Sequence, residues 1–175
     1  KGFLGSAGVV FRAYAWCLMM GPDGLRETAE MSALNNNYFL KLLEKVPDLY
    51  YPYAEGHRRL EEARCSWSRL TEKTGVGTDD ILRRVGDFGL QHYWSSHHPW
   101  VVPEPMTLEP CETFSVEDLE EYAQVLEIIA REAYDDPDTV KNAPHKCAAH
   151  KRAAEHELDD PTRWATTWKA YKRKT

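Results

Sequence analysis

An apolar segment near the beginning of the chain, Val9–Met20, constrains the fold more than any other stretch. It reads VVFRAYAWCLMM, so a helix formed by it is apolar on every face except at Arg12. A helix that is hydrophobic all round is buried on most sides. We therefore expect it to lie under a larger partner surface than 175 residues easily supply. Arg12 then either pairs with a carboxylate or receives an anion, and pairing is the commoner role of a lone arginine.

The length and charge of the chain narrow its class. A chain of 175 residues suits one domain with a proper core. The net charge of −6 leaves no basic field over the whole chain, which argues against a nucleic-acid partner. Val9–Met20 is too short to cross a bilayer, which takes about 20 apolar residues, and no signal peptide is evident. We expect no membrane partner.

The cysteines favour a reduced, cytoplasmic protein. Four are present, at Cys17, Cys65, Cys111 and Cys147, and none forms a CxxC pair. Cys17 lies in the apolar helical segment, so a disulfide framework is the less favoured reading. The chain begins with Lys1 rather than Met, so we interpret it as a fragment, a processed chain or one piece of a larger polypeptide.

The first half of the chain is mainly helical. Gly21-Pro22 predicts the start of a second helix, with Pro in the first position, running to about Lys45. The three asparagines at 35–37 are poor helix formers. We interpret them as a solvated helical turn, the alternative being that at least one satisfies a buried polar group. Ala63–Leu70 reads as a strand.

The second half alternates helices with short strands. Thr78 caps a helix over Asp79–Phe88, and Ser115 caps a longer helix that ends near Tyr134. Strand candidates are Trp100–Val102 and Met106–Glu109, residues 135–145 read as an irregular polar piece, and a last helix opens at Asp160. The fold class predicted is α+β, with a small, mostly antiparallel sheet covered by helices.

The irregular segment Gly89–Pro110 is a candidate wall of a site. It holds His97 and His98 among large aromatic residues, and its prolines prevent a helix. The alternative is a connection whose aromatics fill the core and whose histidines are solvated. No glycine-rich nucleotide loop and no GxSxG appears. His145, Cys147 and His150 provide three possible metal ligands within six residues, although their spacing is not that of common zinc sites.

Several segments in chain order resemble one family. Gly5–Glu27, GSAGVVFRAYAWCLMMGPDGLRE, resembles a segment of the decarboxylating glycine dehydrogenase P-protein, subunit 2 type, which reads GNFGVLVRAYxYI followed by MGxEGLRE. Any one piece is weak evidence, whereas five in order with compatible spacing are fairly specific. The other matches are Leu34–Tyr38 (family LNANY), Leu108–Thr113 (family IEPTET), Asp136-Pro137 and Lys141–His145 (family KNAPH).

The resemblance implies part of an enzyme. Members of this family are similar to fold-type-I enzymes of pyridoxal 5′-phosphate, and residues 1–175 would be a single C-terminal small domain. Residues 1–20 would form a lead-in and an interdomain helix, and residues 146–175 an extension with a helix. The family's Schiff-base lysine would fall before Lys1, so a companion large domain or second subunit would bind most of the cofactor.

The activity implied is decarboxylation of a small amino acid, with transfer of the aminomethyl group to a lipoyl carrier protein in the glycine system. This chain would close the site and bind the substrate carboxylate. The candidates for substrate binding are Arg12, His97, His98, Asn142 and His145.

Two departures from the family lie at the expected edges of the site. Gly5–Gly8 reads GSAG where the family has GNFG, and the histidine-rich loop replaces a family HxPTxxxP pattern. A diverged relative acting on something other than glycine is therefore conceivable on sequence grounds. The alternatives are a non-catalytic regulatory or assembly subunit of such an enzyme and an independent metal-binding module.

Overall fold

The computed structural model describes residues 5–52, 56–60, 62–91, 96, 101–146 and 172. Within that part of the chain, helices surround a small antiparallel sheet, so the predicted α+β class is confirmed. The elements in chain order are α1 (Ala7–Leu43), β1 (Ala63–Ser66), α2 (Ser68–Thr74), α3 (Thr78–Asp87), β2 (Pro105–Leu108), α4 (Val116–Asp135) and α5 (Pro137–Lys141).

Helix α1 consists of two helices joined at a kink. Gly21 has φ 64° and ψ −179°, which is not helical, and Pro22 follows it. Proline lacks the N–H that a continuous helix would use, and glycine adopts a positive φ without steric cost. The predicted break at Gly21-Pro22 is confirmed, and the second half ends at Leu43, close to the predicted Lys45.

The sheet pairs β1 with β2, and Cys65 stands opposite Met106. The predicted strand over Ala63–Leu70 is wrong beyond Ser66. The Trp67 N–H still donates to Glu104 O at 2.9 Å, but ψ of Trp67 is 4° and its carbonyl accepts from Thr71 N, which begins α2. The fully buried Trp67 side chain therefore marks a strand-to-helix turn rather than a strand.

The other strand predictions are only partly right. β2 covers Pro105–Leu108, one residue before the predicted Met106–Glu109. Trp100 lies outside the described residues, and Val101–Glu104 form bends rather than the predicted strand. A proline at 103 has no N–H for a ladder, and Glu104 has φ 47°, so the chain turns sharply before β2.

Helix α4 begins at the capping residue that the sequence predicts, whereas the predicted cap of α3 is wrong: Gly77 is the capping residue, and Thr78 is the first residue of the helix. Ser115 Oγ accepts from Asp118 N at 3.1 Å, and the Asp118 carboxylate accepts from Ser115 N at 2.9 Å. These two bonds satisfy N–H groups that a helix start leaves unpaired. Helix α3 starts at Thr78, where the Glu104 carboxylate accepts from the Thr78 N–H at 2.6 Å.

Residues 135–145 are not wholly irregular, contrary to the prediction. Pro137–Lys141 form α5, with Pro137 in the first turn and Asp136 as the cap. Asp136 Oδ1 accepts from Thr139 N at 3.3 Å. Proline in the first helical turn after a capping aspartate is a helix-start signal, which the polar composition of this segment obscured.

Helix α4 lies at the centre of the core. Its inward face places Leu126, Ile129 and Ala130 with no exposed surface, and it contacts α1, α2, α3 and α5. In the described part of the chain, no helix has the length and apolar character needed to cross a membrane.

Candidate functional site

The loop that begins at the last residue of α5, Lys141–Lys146, is held by one carboxylate from the end of α3. Asp87 Oδ1 accepts from the backbone N–H of His145 at 2.6 Å and of Lys146 at 2.7 Å. The Ala143–Pro144 peptide bond in this loop is cis. Since Asp87 belongs to a helix of the core, this loop is fixed to the core rather than to neighbouring loops.

An ion-pair network holds Asp87 in place. Arg84 donates to Asp87 Oδ2 at 2.9 Å and to both carboxylate oxygens of Glu132 at 2.9 Å each. The Asp87 side chain is only 1% exposed. Burial alone would raise the pKa of Asp87, but the bonds from Lys146 N–H, Arg84 and His145 N–H together keep this pKa below its ordinary value. Asp87 is therefore a carboxylate at neutral pH.

Arg84 remains a cation in this network. The Glu132 carboxylate raises the pKa of Arg84, with Asp87 adding to the effect. Two parallel hydrogen bonds to one carboxylate fix the orientation of a guanidinium group, in addition to the attraction between the opposite charges. The network thus links α3 to α4 directly beneath the loop.

Two predicted substrate-binding residues, Asn142 and His145, lie in this loop and are exposed. The Asn142 amide donates to Asp138 O at 2.9 Å, and His145 Nε2 lies 2.7 Å from Thr139 O. At that contact the ring nitrogen carries the proton, because a carbonyl oxygen only accepts. The other ring nitrogen of His145 is then free to accept a hydrogen bond from a ligand.

A second motif segment, Leu108–Thr113, is fixed to α1 by Asn35. The Asn35 amide donates to Cys111 O at 2.8 Å and to Phe114 O at 3.0 Å. Ser32 Oγ donates to the Glu112 carboxylate at 3.0 Å one turn earlier. The interpretation of residues 35–37 as a solvated turn is wrong: Asn35 and Asn36 are buried, and the alternative, that an asparagine satisfies buried polar groups, holds for Asn35.

A cavity of about 210 Å³ lies where this motif segment meets the start of the histidine-rich loop. Gln91 lines it on one side, Glu109 and Pro110 line it on another, and Tyr122 of α4 completes the wall. Burial raises the pKa of Tyr122 to about 12, so its hydroxyl stays neutral and is able to donate. Both ends of the Gly89–Pro110 segment, which the sequence predicts to be the wall of a site, contribute residues to the lining of this cavity.

The remaining predicted site residues are not brought into contact with this loop by any described bond. Arg12 is exposed on the N-terminal half of α1. The carboxylate expected beside it is not found among the described residues. His97 and His98 lie outside the described residues, as do Cys147 and His150.

The described residues offer no group of three or more His, Cys, Asp or Glu side chains that could hold a metal ion. Two of the three ligands of the proposed metal module, Cys147 and His150, are not among them. Cys17, Cys65 and Cys111 are all free thiols.

Sequence reasoning missed Asp87, Arg84 and Glu132. Each stands in an ordinary amphipathic helix, where charged residues at such positions are usually solvated. Only the packing of α3 on α4 brings them together beneath the loop. Asn35, in contrast, lies within the Leu34–Tyr38 match, so the resemblance contained its signal.

Comparison with known proteins defines the class of this domain. A sequence profile described as "Glycine dehydrogenase, C-terminal domain" matches residues 28–150, which is most of the chain. That range contains both anchored motif segments and the cavity between α1 and α4. The chain belongs to this glycine dehydrogenase C-terminal domain family.

Curated relatives give the more particular assignment. The chain is 41% identical over 145 residues to a protein of Thermotoga maritima named "Probable glycine dehydrogenase (decarboxylating) subunit 2", covering 83% of this chain and 30% of the relative. A Pyrococcus abyssi protein of the same name is 35% identical over 175 residues, covering 98% of this chain and 33% of the relative. The chain thus spans about a third of the length of these relatives.

Proposed function

We propose that this chain is the C-terminal part of a pyridoxal-phosphate-dependent, glycine-decarboxylase-like enzyme. It supplies groups that bind the amino-acid substrate and close the site, and a companion large domain or second subunit holds the cofactor. The main observation in support of this proposal is that the family match includes the Lys141–Lys146 loop. Two hydrogen bonds to Asp87 hold this loop against the core. The relatives' name, "subunit 2", supports a companion chain.

Three of the described lysines, Lys41, Lys73 and Lys141, do not fit a Schiff-base role. Such a lysine must lose its proton in a desolvated site. Lys73 instead pairs with Asp48 at 2.7 Å, which raises its pKa, and Lys41 pairs with Glu44 at 2.6 Å on the surface. Lys141 donates to the Thr74 carbonyl. We therefore assign the binding of the cofactor to the companion large domain or second subunit.

The loop's own chemistry suits a carboxylate ligand. A substrate carboxylate needs donors held in fixed directions, and the anchored backbone of His145 sets the direction of its ring. In this proposal the Asn142 amide donates its second N–H to the substrate, and the ring nitrogen of His145 that is not bonded to Thr139 O faces the substrate. His97 and His98 are further donors, and Arg12 is the counter-charge. Their convergence on one substrate is part of the proposal.

The proposal also includes the arrangement of the domain and its extensions. Residues 1–175 form one C-terminal small domain, residues 1–20 supply the interdomain helix, and residues 146–175 extend the domain. The exposed apolar side chains of Val10, Phe11 and Leu18 support an interdomain position for the first helix. We place the whole enzyme in the cytoplasm, with a lipoyl carrier protein as a further partner.

The first test locates the cofactor. The full chain is assembled with its companion, treated with borohydride and digested for peptide mapping. We expect pyridoxyl-lysine only in the companion. A pyridoxyl-lysine within residues 1–175 would overturn the proposal, and an assembly with no bound cofactor at all would favour the regulatory or assembly subunit.

The second test concerns the substrate groups. In the assembled enzyme, H98A, H145A and R12Q are each expected to raise the KM for the amino acid at least 10-fold, with H98A the strongest of the His97/His98 pair. Of the two histidines, His98 directly precedes Pro99 in the sequence, and a residue before proline favours an extended backbone. R131Q is the matched control for R12Q, because Arg131 lies on α4 and pairs with Glu127.

The unfolding midpoint of each variant is measured beside its kinetics. Unchanged kinetics with a lowered midpoint would make a residue structural, and unchanged values of both would make it a solvated surface residue. D87N tests whether the position of the loop matters for turnover, because Asp87 bonds the loop backbone and does not contact the substrate in this proposal. It is expected to impair turnover, whereas a purely structural Asp87 would lower only the midpoint.

A further inference from the structure

A second cavity, of about 410 Å³, opens beside the last turns of α1. Its walls come from Lys41 of α1, from residues 56–59, and from Arg64 of β1. None of these residues belongs to the anchored loop or to the cavity near Tyr122. The volume lies in the range of about 300–1,000 Å³ that small-molecule sites occupy.

Cations dominate the lining of this cavity, although the whole chain carries a net charge of −6. Lys41 is paired with Glu44 at 2.6 Å, and Arg64 pairs with Glu62. Arg58 and Arg59, however, have no carboxylate partner among the residues that the structure describes. Four cationic side chains against the one carboxylate of Glu44 leave the described lining of the cavity electropositive.

The backbone of this segment is fixed to α1 by one asparagine. The Asn37 amide donates to Arg59 O at 2.6 Å and to Ala33 O at 2.7 Å, and its carbonyl oxygen accepts from Arg59 N at 3.1 Å. The arginine pair therefore starts from a preorganised backbone, which lowers the ordering cost of binding. No other role of Asn37 requires these two hydrogen bonds to a surface segment.

One wall of the cavity is apolar. Leu40 and Tyr51 line it, and the Tyr51 hydroxyl donates to Leu40 O at 3.4 Å. Burial raises the pKa of Tyr51, so no phenolate opposes an incoming anion. A ring or short carbon skeleton fits against this wall while charged groups face the arginines.

We propose that this cavity is a binding site for a small polyanion carrying phosphate or carboxylate groups, held by Arg58 and Arg59 with Lys41 and Arg64 at its edge. Planar guanidinium groups bind either oxyanion with two parallel hydrogen bonds. The concave shape favours a small molecule over a protein surface. The site is separate from the substrate groups and does not depend on the proposed enzyme activity.

Calorimetric titration of the full chain tests the proposal, with inorganic pyrophosphate and citrate as separate probes. We expect saturable binding of one molecule of at least one probe, and the stronger probe identifies the phosphate or the carboxylate class. R58Q and R59Q should each weaken that binding at least 10-fold. R58K should retain more affinity than R58Q, because the charge remains and the fork is lost.

Two controls keep the result specific. R131Q removes the same charge on α4 and should leave the affinity unchanged. N37A leaves all charges in place and should weaken binding by releasing the Arg59 backbone, with circular dichroism confirming that the helices persist. Absence of saturable binding of both probes would overturn the proposal, and so would equal losses in R58Q and R131Q.

Discussion

The two halves of α1 reverse the usual relation between hydrophobicity and burial. In the N-terminal half, Phe11 is 72% exposed and Met19 is 75% exposed. In the C-terminal half, Asn35 and Asn36 are buried beside Phe39 and Leu43. The more apolar half is thus bare, and the half with three asparagines lies in the core.

The difference shows what decides burial in this chain. The C-terminal half lies against α4 and β1, and Asn35 supplies donors that the carbonyls of Cys111 and Phe114 require. A buried amide is tolerated when its hydrogen bonds are made. The N-terminal half meets no such surface among the described residues, so its apolar side chains are exposed. In our proposal, the companion large domain covers them.

Deleting a leucine from each half should give the largest contrast. Leu43 has no exposed surface, so L43A should lower the free energy of unfolding by about 2–5 kcal/mol. L18A, in the bare half, should change it by less than about 0.5 kcal/mol. Urea unfolding followed by circular dichroism measures both. Similar losses at the two positions would mean that the bare half is packed within this chain.

Removing the Asn35 amide should have the next largest effect. N35A removes the side-chain donor from two part-buried carbonyls, and only that of Cys111 keeps a backbone donor, the Phe114 N–H, so we expect a loss of about 2 kcal/mol of unfolding free energy. N142A is the matched control, since Asn142 is exposed and bonds only Asp138 O. A loss in N35A no greater than that in N142A would show that Asn35 does not hold the Leu108–Thr113 segment.

The same substitution one residue later should act in the opposite direction. Both polar atoms of the Asn36 side chain are buried and have no hydrogen-bond partner among the residues that the structure describes, and the resembling family has Ala at this position. N36A should therefore raise the free energy of unfolding by about 1 kcal/mol, because an unsatisfied buried amide carries a desolvation penalty. Destabilisation would indicate that Asn36 has a partner in the assembled protein.

The smallest effect on stability, but the clearest on association, is expected at the bare surface itself. The isolated chain should bind a hydrophobic dye or self-associate through the N-terminal half of α1. F11S should reduce dye binding while leaving the unfolding midpoint nearly unchanged. A monomeric chain that binds no dye would argue for a complete domain and against a missing companion.

Sequence reasoning succeeded where the signal is local. The capping pair Ser115 and Asp118 placed the start of α4, and Gly21-Pro22 placed the kink of α1, because both are set by backbone groups within a few residues. It failed at Trp67, where a bond to Glu104 and the onset of α2 turn the chain out of the strand. The polar composition of residues 136–141 likewise hid a proline-started helix.

The candidate site divides in the same way. The sequence identified the Lys141–His145 segment through its resemblance to a family, and the family match over residues 28–150 confirms the recognition. It did not identify Asp87, Arg84 or Glu132, and it did not separate Asn35 from Asn36. Whether Asn142 and His145 bind substrate stays a prediction.

By itself the sequence determined the family, the helix boundaries set by the Ser115 cap and by Gly21-Pro22, and the presence of an apolar helical segment near the beginning of the chain. Only the tertiary structure decided which asparagine is satisfied, which carboxylate anchors the loop and which arginines line a cavity. The physical reason is the distance along the sequence between the groups that interact. Caps and kinks depend on neighbouring backbone groups, whereas hydrogen bonds such as those of Asn35 to residues 76 and 79 positions away exist only after the core has packed.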